Sequence, residues 1–217
     1  MLHRDKLDPD QPTRIGIVLY DGVEPIDLGG TLGVISMASR RLPGLSAVTI
    51  AEHAGPVRCA GGLTVIAAHG FADMPDCEVV VITGGPGWPA QARNAAMLAF
   101  LRRQNPEHLA SVCTGALILG AAGLLDGRQA TTRRTAIGAE THPPLALLAH
   151  MGAAASASLI VDAGGPVTGG GVSLAHDLTL HLIGRLYGAA ERDEVARLIE
   201  YDRAFAANSA ALGIVVA

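Results

Sequence analysis

Cysteine, aromatic residues and charge are all scarce in this chain, and each shortage removes a class of function. The 217 residues include three cysteines, Cys59, Cys77 and Cys113. Their odd number and wide spacing, with no Cys-x-x-Cys pair, exclude a disulfide framework and a zinc knuckle. Aromatics make up 3% of the chain and charged residues 17%, with 16 basic and 20 acidic side chains giving a net charge of −4. No block of Lys or Arg is present to neutralise phosphates, so nucleic acid is not an expected partner. The longest apolar run, residues 109–125, is broken by Ser111, Thr114, Gly115, Gly120 and Gly123 and does not suit a membrane span. The N-terminal MLHRDKLDPDQPTR lacks the apolar core and cleavage site of a signal peptide. These absences describe a reduced, cytoplasmic protein that does not enter membranes.

What remains is rich in apolar residues (49%) and in glycine, of which there are 27. That composition excludes a disordered chain, and the length suits one domain with a large core. A polar tail over residues 1–12 and a single domain over 13–217 are expected. Short apolar runs at 15–19, 78–83, 109–112, 158–161 and 166–168 read as strands, and 130–132 as a further short one. Residues 47–51 and 63–67 read as β runs paired across Gly55-Pro56 and Gly61-Gly62. Helical spacing covers 27–38, 95–103, 115–122, 145–151, 174–187 and 191–202. The apolar end, 203–217, is expected to dock on its own domain or on a partner subunit. Apolar strands alternating with helices imply an α/β fold with a mostly parallel sheet covered on both faces. In such sheets the working site lies beyond the carboxyl ends of the strands.

Cys113 occupies that place. In Ser111-Val112-Cys113-Thr114-Gly115 it stands where a strand ends and an apolar helix begins, and Gly115 permits a tight turn. Such an elbow exposes a nucleophile above the sheet and puts the sulfur near free amides and the helix dipole, which favour the thiolate. Burial as a small hydrophobe is the commoner fate of cysteine, and it is the expected one for Cys59 and Cys77. The acid expected to move the proton is Asp27, flanked by Ile26 and Leu28; it is also placed to cap a helix. Glu24 is the rival acid of that loop. Gly84 and Gly85, directly after EVVVIT, are expected to offer amides to a developing charge, or to permit close packing. Trp88 is placed to wall the pocket or to pack on the next helix. Gly169-Gly170-Gly171 lacks the spacing of a nucleotide loop. His142 reads as a loop residue, His176 and His181 as partners of Asp177, and no histidines and acid fall at metal-ligand spacing.

The order Asp27-Leu28-Gly29, ITGGPG (82–87), SVCTGALILGAAGLLDGRQATT (111–132) and VTGGGVSLAHDLTL (167–180) resembles the DJ-1/PfpI superfamily, most nearly its isocyanide (isonitrile) hydratase branch. The resemblance implies a flavodoxin-like three-layer sandwich, related to class I glutamine amidotransferase domains. It further implies a homodimer and a cysteine nucleophile that works on a small molecule without metal or organic cofactor. Cys113 then matches the nucleophile and Asp27 the acid. Gly84, Gly85, Thr114, Trp88, Arg133 and Gly170 fall around the pocket. In that branch the thiolate attacks the terminal carbon of R–N≡C, and water releases an N-substituted formamide. Two stretches depart from the branch. Asp27-Leu28-Gly29-Gly30-Thr31 stands where Asp-Leu-Thr-Gly-Pro is usual, and Arg133-Arg134 stands where His-Trp is usual. The Ser111-to-Thr132 stretch is also similar to the sensory half of AraC-type regulators. That half implies a ligand-sensing protein, here expected without a DNA-reading domain.

Overall fold

The computed structural model describes residues 6–216, so positions 1–5 of the expected tail and Ala217 lie outside the described residues. The first half of the chain alternates β1 (Thr13–Val18), α1 (Pro25–Ala38), β2 (Leu45–Ala51), β3 (Gly55–Arg58), β4 (Thr64–Ala67), β5 (His69–Gly70) and β6 (Val79–Ile82). Then come α2 (Trp88–Gln91), α3 (Ala95–Arg103), β7 (Leu109–Val112), α4 (Gly115–Ala121), β8 (Gln129–Ala130), α5 (Pro144–His150) and β9 (Ala154–Ala155). The chain closes with β10 (Ile160–Asp162), β11 (Val167–Gly169), α6 (Ala175–Tyr187), α7 (Ala189–Leu198), α8 (Asp202–Leu212) and β12 (Ile214–Val216).

Eight strands form the central sheet in the order β12-β10-β11-β7-β6-β1-β2-β5. All neighbours are parallel except β10 and β11, so β10 and β12 run against the rest. Every residue of β6 and β7 is buried, the signature of strands covered on both faces. Helices α1, α6 and α7 pack together, while α2, α3 and α5 gather around α4. The result is the expected α/β sandwich, with helices on both sides of a mostly parallel sheet. The strand order reverses between β1 and β6, and the turns after β1, β6 and β7 meet at one end of the sheet.

Three local expectations need correction, and one is met. Residues 47–51 do not pair with 63–67: β2 lies in the central sheet beside β1, and the partner of β4 is the Gly-Pro stretch itself, as β3. The strand expected at 130–132 is only Gln129–Ala130, paired with β9 outside the main sheet. Thr131 and Thr132 instead bond through their side chains, Thr131 Oγ1 donating to the Ser158 carbonyl at 2.9 Å. His181 pairs with Asp162 at 2.9 Å, not with Asp177, which accepts from Tyr201 Oη at 2.9 Å and from Asn208. The apolar end folds as α8 and β12, and β12 docks on β10 of its own chain.

The described part of the tail is also held: the Leu7 amide donates to the Leu186 carbonyl at 2.9 Å and Lys6 Nζ to the Arg185 carbonyl at 2.9 Å. Among the described residues, no helix is long and apolar enough to cross a membrane.

Candidate active site

At the end of β7 the chain reverses into α4 through Cys113, which takes φ of 54°. A left-handed backbone at a non-glycine residue is costly and persists only where its surroundings enforce it. The Cys113 amide donates to the Gly170 carbonyl at 3.1 Å, and the Cys113 carbonyl accepts from Thr132 Oγ1 at 2.6 Å. Gly115 lets the turn sit on β6, because a Cβ there would lie 2.1 Å from the Ile82 carbonyl oxygen. On the other side Gly171 closes over the sulfur: a Cβ there would stand 2.6 Å from Cys113 Sγ. The elbow therefore depends on glycine at two positions for close approach, while the positive φ belongs to the cysteine itself.

Asp27, in the first turn of α1, is fully buried beneath this elbow. Its Oδ2 accepts from the Gly84 amide at 2.8 Å. Its Oδ1 is buried with no hydrogen bond of ordinary geometry among the described residues, and the Cys113 thiol is near enough to act on the carboxyl as a donor. Burial raises the Asp27 carboxyl to about 7, against the pull of the Gly84 amide and with a further push from Glu24. Burial also dominates at Cys113, and with the Asp27 charge it pushes the thiol up to about 12; the Thr114 amide and Arg133 offset only part of this. The thiolate expected from the helix dipole is thus overruled by desolvation in the resting site. What the fold holds instead is a protonated sulfur beside an acid that titrates near neutrality.

The glycine turn after β6 takes the second of its two expected roles, close packing. The Gly84 amide is engaged by Asp27, and the Gly85 amide donates to Thr114 Oγ1 at 2.9 Å. Neither is free to receive a developing charge. Gly85 is required for packing, with φ of 142° and a would-be Cβ only 2.3 Å from the Gly22 carbonyl. Tyr20, which the sequence did not single out, closes the floor by donating from Oη to the Thr83 carbonyl at 2.9 Å.

Above the sulfur opens a cavity of about 640 Å³ whose floor includes Cys113, Thr114 and Gly85. Trp88, Pro89, Pro144, Leu147 and Val172 give it apolar walls, while Glu24 and His142 stand on its rim. Trp88 takes the first of its expected roles, and as the first residue of α2 it also packs against the hydrophobic core. Arg133 lines the cavity with only 7% of its side chain exposed and acts on the Cys113 sulfur by charge and hydrogen bond. It is bound at the same time to the Thr135 carbonyl and to Glu140 Oε1. Burial alone would raise the Glu140 carboxyl, but its bonds with Arg133 and the Ile137 amide hold it below the usual range.

Of the residues expected at the pocket, Gly170 does not reach it: its carbonyl anchors the Cys113 amide, and Gly171 and Val172 take the place beside the sulfur. Asp27 and Gly84 lie behind Cys113 and not on the cavity wall. Glu140, Gly171 and the segment 134–143 carried no sequence signal beyond the triple glycine and a polar loop before Pro143-Pro144. No group of three His, Cys, Asp or Glu among the described residues is arranged to hold a metal ion.

Comparison with known proteins agrees with this geometry. An isonitrile hydratase from Pseudomonas putida is 32% identical over 190 residues, which is 87% of this chain and 78% of that protein. The transcriptional regulator GbdR of Pseudomonas aeruginosa is 27% identical over 199 residues, covering 88% of this chain but 52% of the regulator. Among solved structures, a ThiJ/PfpI family protein from Pseudomonas syringae superposes with a TM-score of 0.76 at 27% identity, covering 93% of this chain and 84% of that one. The DJ-1/PfpI family signature matches residues 13–184. Fold, elbow and sequence agree: the chain belongs to the DJ-1/PfpI family.

Proposed function

We propose that this protein is a cofactor-independent cysteine enzyme that adds water to an isocyanide, giving an N-substituted formamide. The observation that carries the reading is the pairing of Cys113 with buried Asp27 at the base of an apolar cavity. Similarity to the Pseudomonas putida isonitrile hydratase supports it. In the first step the Asp27 carboxylate takes the S–H proton as sulfur bonds to the terminal carbon of R–N≡C. The proton then passes to that carbon, leaving the thioimidate Cys113–S–CH=N–R. Water adds to the C=N bond, its oxygen to carbon and a proton to nitrogen by way of Asp27. The intermediate R–NH–CH(OH)–S–Cys113 collapses, expelling sulfur, which regains a proton, and R–NH–CHO leaves. The sum is substrate plus water, with no net electron transfer, so the chemistry requires no redox cofactor.

Thr114, on the floor of the cavity, fixes the Gly85 amide through its hydroxyl. The apolar walls shield the thioimidate from bulk water. We read residues 13–217 as one catalytic domain, acting in the cytoplasm as a homodimer on a small molecule, with neither nucleic acid nor membrane as partner. Incubation with a simple aryl isocyanide and direct detection of the formamide tests the proposal, with Cys113→Ala as control. Formamide formed at the same rate by that control, or not at all by the native protein, rejects it.

A second reading has its own support: the similarity to GbdR, together with a sulfur only 3% exposed, suits a ligand-sensing protein without turnover. Saturable binding of an isocyanide with no formamide released would favour that reading.

A further inference from the structure

The segment between β8 and α5 forms one side of the cavity and has no counterpart in the elbow chemistry. It carries Arg133 inward and then returns through residues 134–143 to Pro144. A buried arginine at a reactive sulfur would ordinarily recruit an anion, because its guanidinium binds carboxylates and phosphates in a planar fork. Here that fork is occupied by the chain itself. One arm reaches the Thr135 carbonyl and the other the Glu140 carboxylate, which also accepts from the Ile137 amide at 2.8 Å. Glu140 therefore both folds the segment and offsets the charge it carries inward. Of the charged groups that line the cavity, Glu24 has no ion-pair partner among the described residues, and Asp27 adds a second acid beneath the sulfur. The remaining walls are apolar.

We infer that the Arg133–Glu140 pair is the charge selector of this site. With Glu140 in place the cavity admits neutral electrophiles bearing an apolar substituent, and without it the freed guanidinium admits anionic ones. The inference deepens the proposed isocyanide chemistry and rests on it for the natural substrate: R is apolar and uncharged, and a carboxylate on R excludes the molecule. Glu140 is then a specificity-determining residue that never touches the reacting carbon. An apolar R of aromatic size has room in about 640 Å³.

The test uses alkylation of Cys113, read by mass spectrometry of the intact full-length chain, so it does not depend on turnover. Iodoacetamide and iodoacetate are near-isosteric and differ in charge, and each rate is divided by that for free cysteine. The native protein is expected to prefer the amide by at least about ten-fold, the effect of one unbalanced charge in a partly buried site. N-benzyl iodoacetamide is expected to react faster still and to saturate. Glu140→Gln should raise the iodoacetate rate at least about ten-fold while changing the amide rate far less, and Arg133→Met should not. An unchanged amide-to-carboxylate ratio in Glu140→Gln, or a rise in Arg133→Met equal to that in Glu140→Gln, overturns the inference. Glu140 is partly exposed, with 32% of its side chain accessible, so its glutamine variant is expected to fold. Formamide production is measured in parallel. Charge selection without turnover refutes only the hydratase reading, and turnover without charge selection refutes only this one.

Discussion

Replacing Asp27 by asparagine should make the protein more stable and inactive at once, with a gain in stability that depends on pH. The carboxyl is fully buried and is raised from 3.8 to about 7 in the folded chain. A native acid that holds its proton more tightly than the unfolded one contributes stability at low pH. That stability is lost as pH climbs from the unfolded value through the folded one. Each pKa unit corresponds to about 1.4 kcal/mol, so the ionised carboxylate costs the native state up to about 4 kcal/mol above pH 7 and about 2 kcal/mol at pH 5. Asparagine keeps the acceptor for the Gly84 amide and has no proton to lose.

The variant should therefore gain on the native protein by roughly 2–3 kcal/mol more at pH 8 than at pH 5. For a chain of this length that is roughly 4–10 °C in Tm, readable by thermal unfolding followed by circular dichroism at the two pH values. Loss of formamide production in the same sample should accompany it, the usual trade between a strained site and stability. A variant less stable than the native chain at pH 8, or offset by the same amount at both pH values, would refute the reasoning. Either result would mean that Asp27 is ionised in the fold without penalty.

The remaining predictions concern the proton and the elbow. Because Asp27 must be a carboxylate to take the thiol proton, kcat/KM for isocyanide hydration should rise with pH to a plateau, with its midpoint near 7. A profile flat from pH 5.5 to 8.5 would remove Asp27 from that role. Gly171→Ala would put a Cβ 2.6 Å from the Cys113 sulfur and 3.0 Å from its Cα, so it should cost about 1–3 kcal/mol and most of the activity. Gly33→Ala, on a part of α1 where an added Cβ meets nothing within 4 Å, should instead raise stability by about 0.5–1 kcal/mol in denaturant titration.

Much of the fold was legible because its strands are covered on both faces. The all-buried β6 and β7 appear in sequence as short, largely apolar runs; β7 has the expected bounds, and β6 is one residue shorter at each end than expected. The α3 bounds, Ala95–Arg103, are likewise those of its apolar spacing, aided by the Asn94 side chain that accepts from the Ala96 amide at 2.9 Å. Pairing was less legible than the strands themselves. β3 and β4 are half exposed and joined by a short turn through Gly61-Gly62, so nothing local decides whether β4 pairs with β2 or with the stretch between them. That the end of the chain docks was legible, but not how. Its apolar residues serve two short elements in succession, and α8 is fixed from a distance by Asp177 on α6, which Tyr201 and Asn208 reach across.

The site shows the same division between what a pattern carries and what only packing decides. That a cysteine stands at a strand-to-helix turn is a local fact, and it was readable from Ser111-Val112-Cys113-Thr114-Gly115. Its protonation state is not local. A helix amide and dipole favour the thiolate, yet the helix that offers them, α4, is itself buried, and the same burial raises the thiol. Asp27 adds a second penalty if it is ionised, so sulfur and carboxyl cannot both be charged without a large cost, and above pH 7 the pair keeps one proton, on the sulfur. A protonated sulfur with a base beside it, and not a standing thiolate, is what an isocyanide requires. The terminal carbon must receive a proton as well as a nucleophile, and a shared proton delivers both from one place.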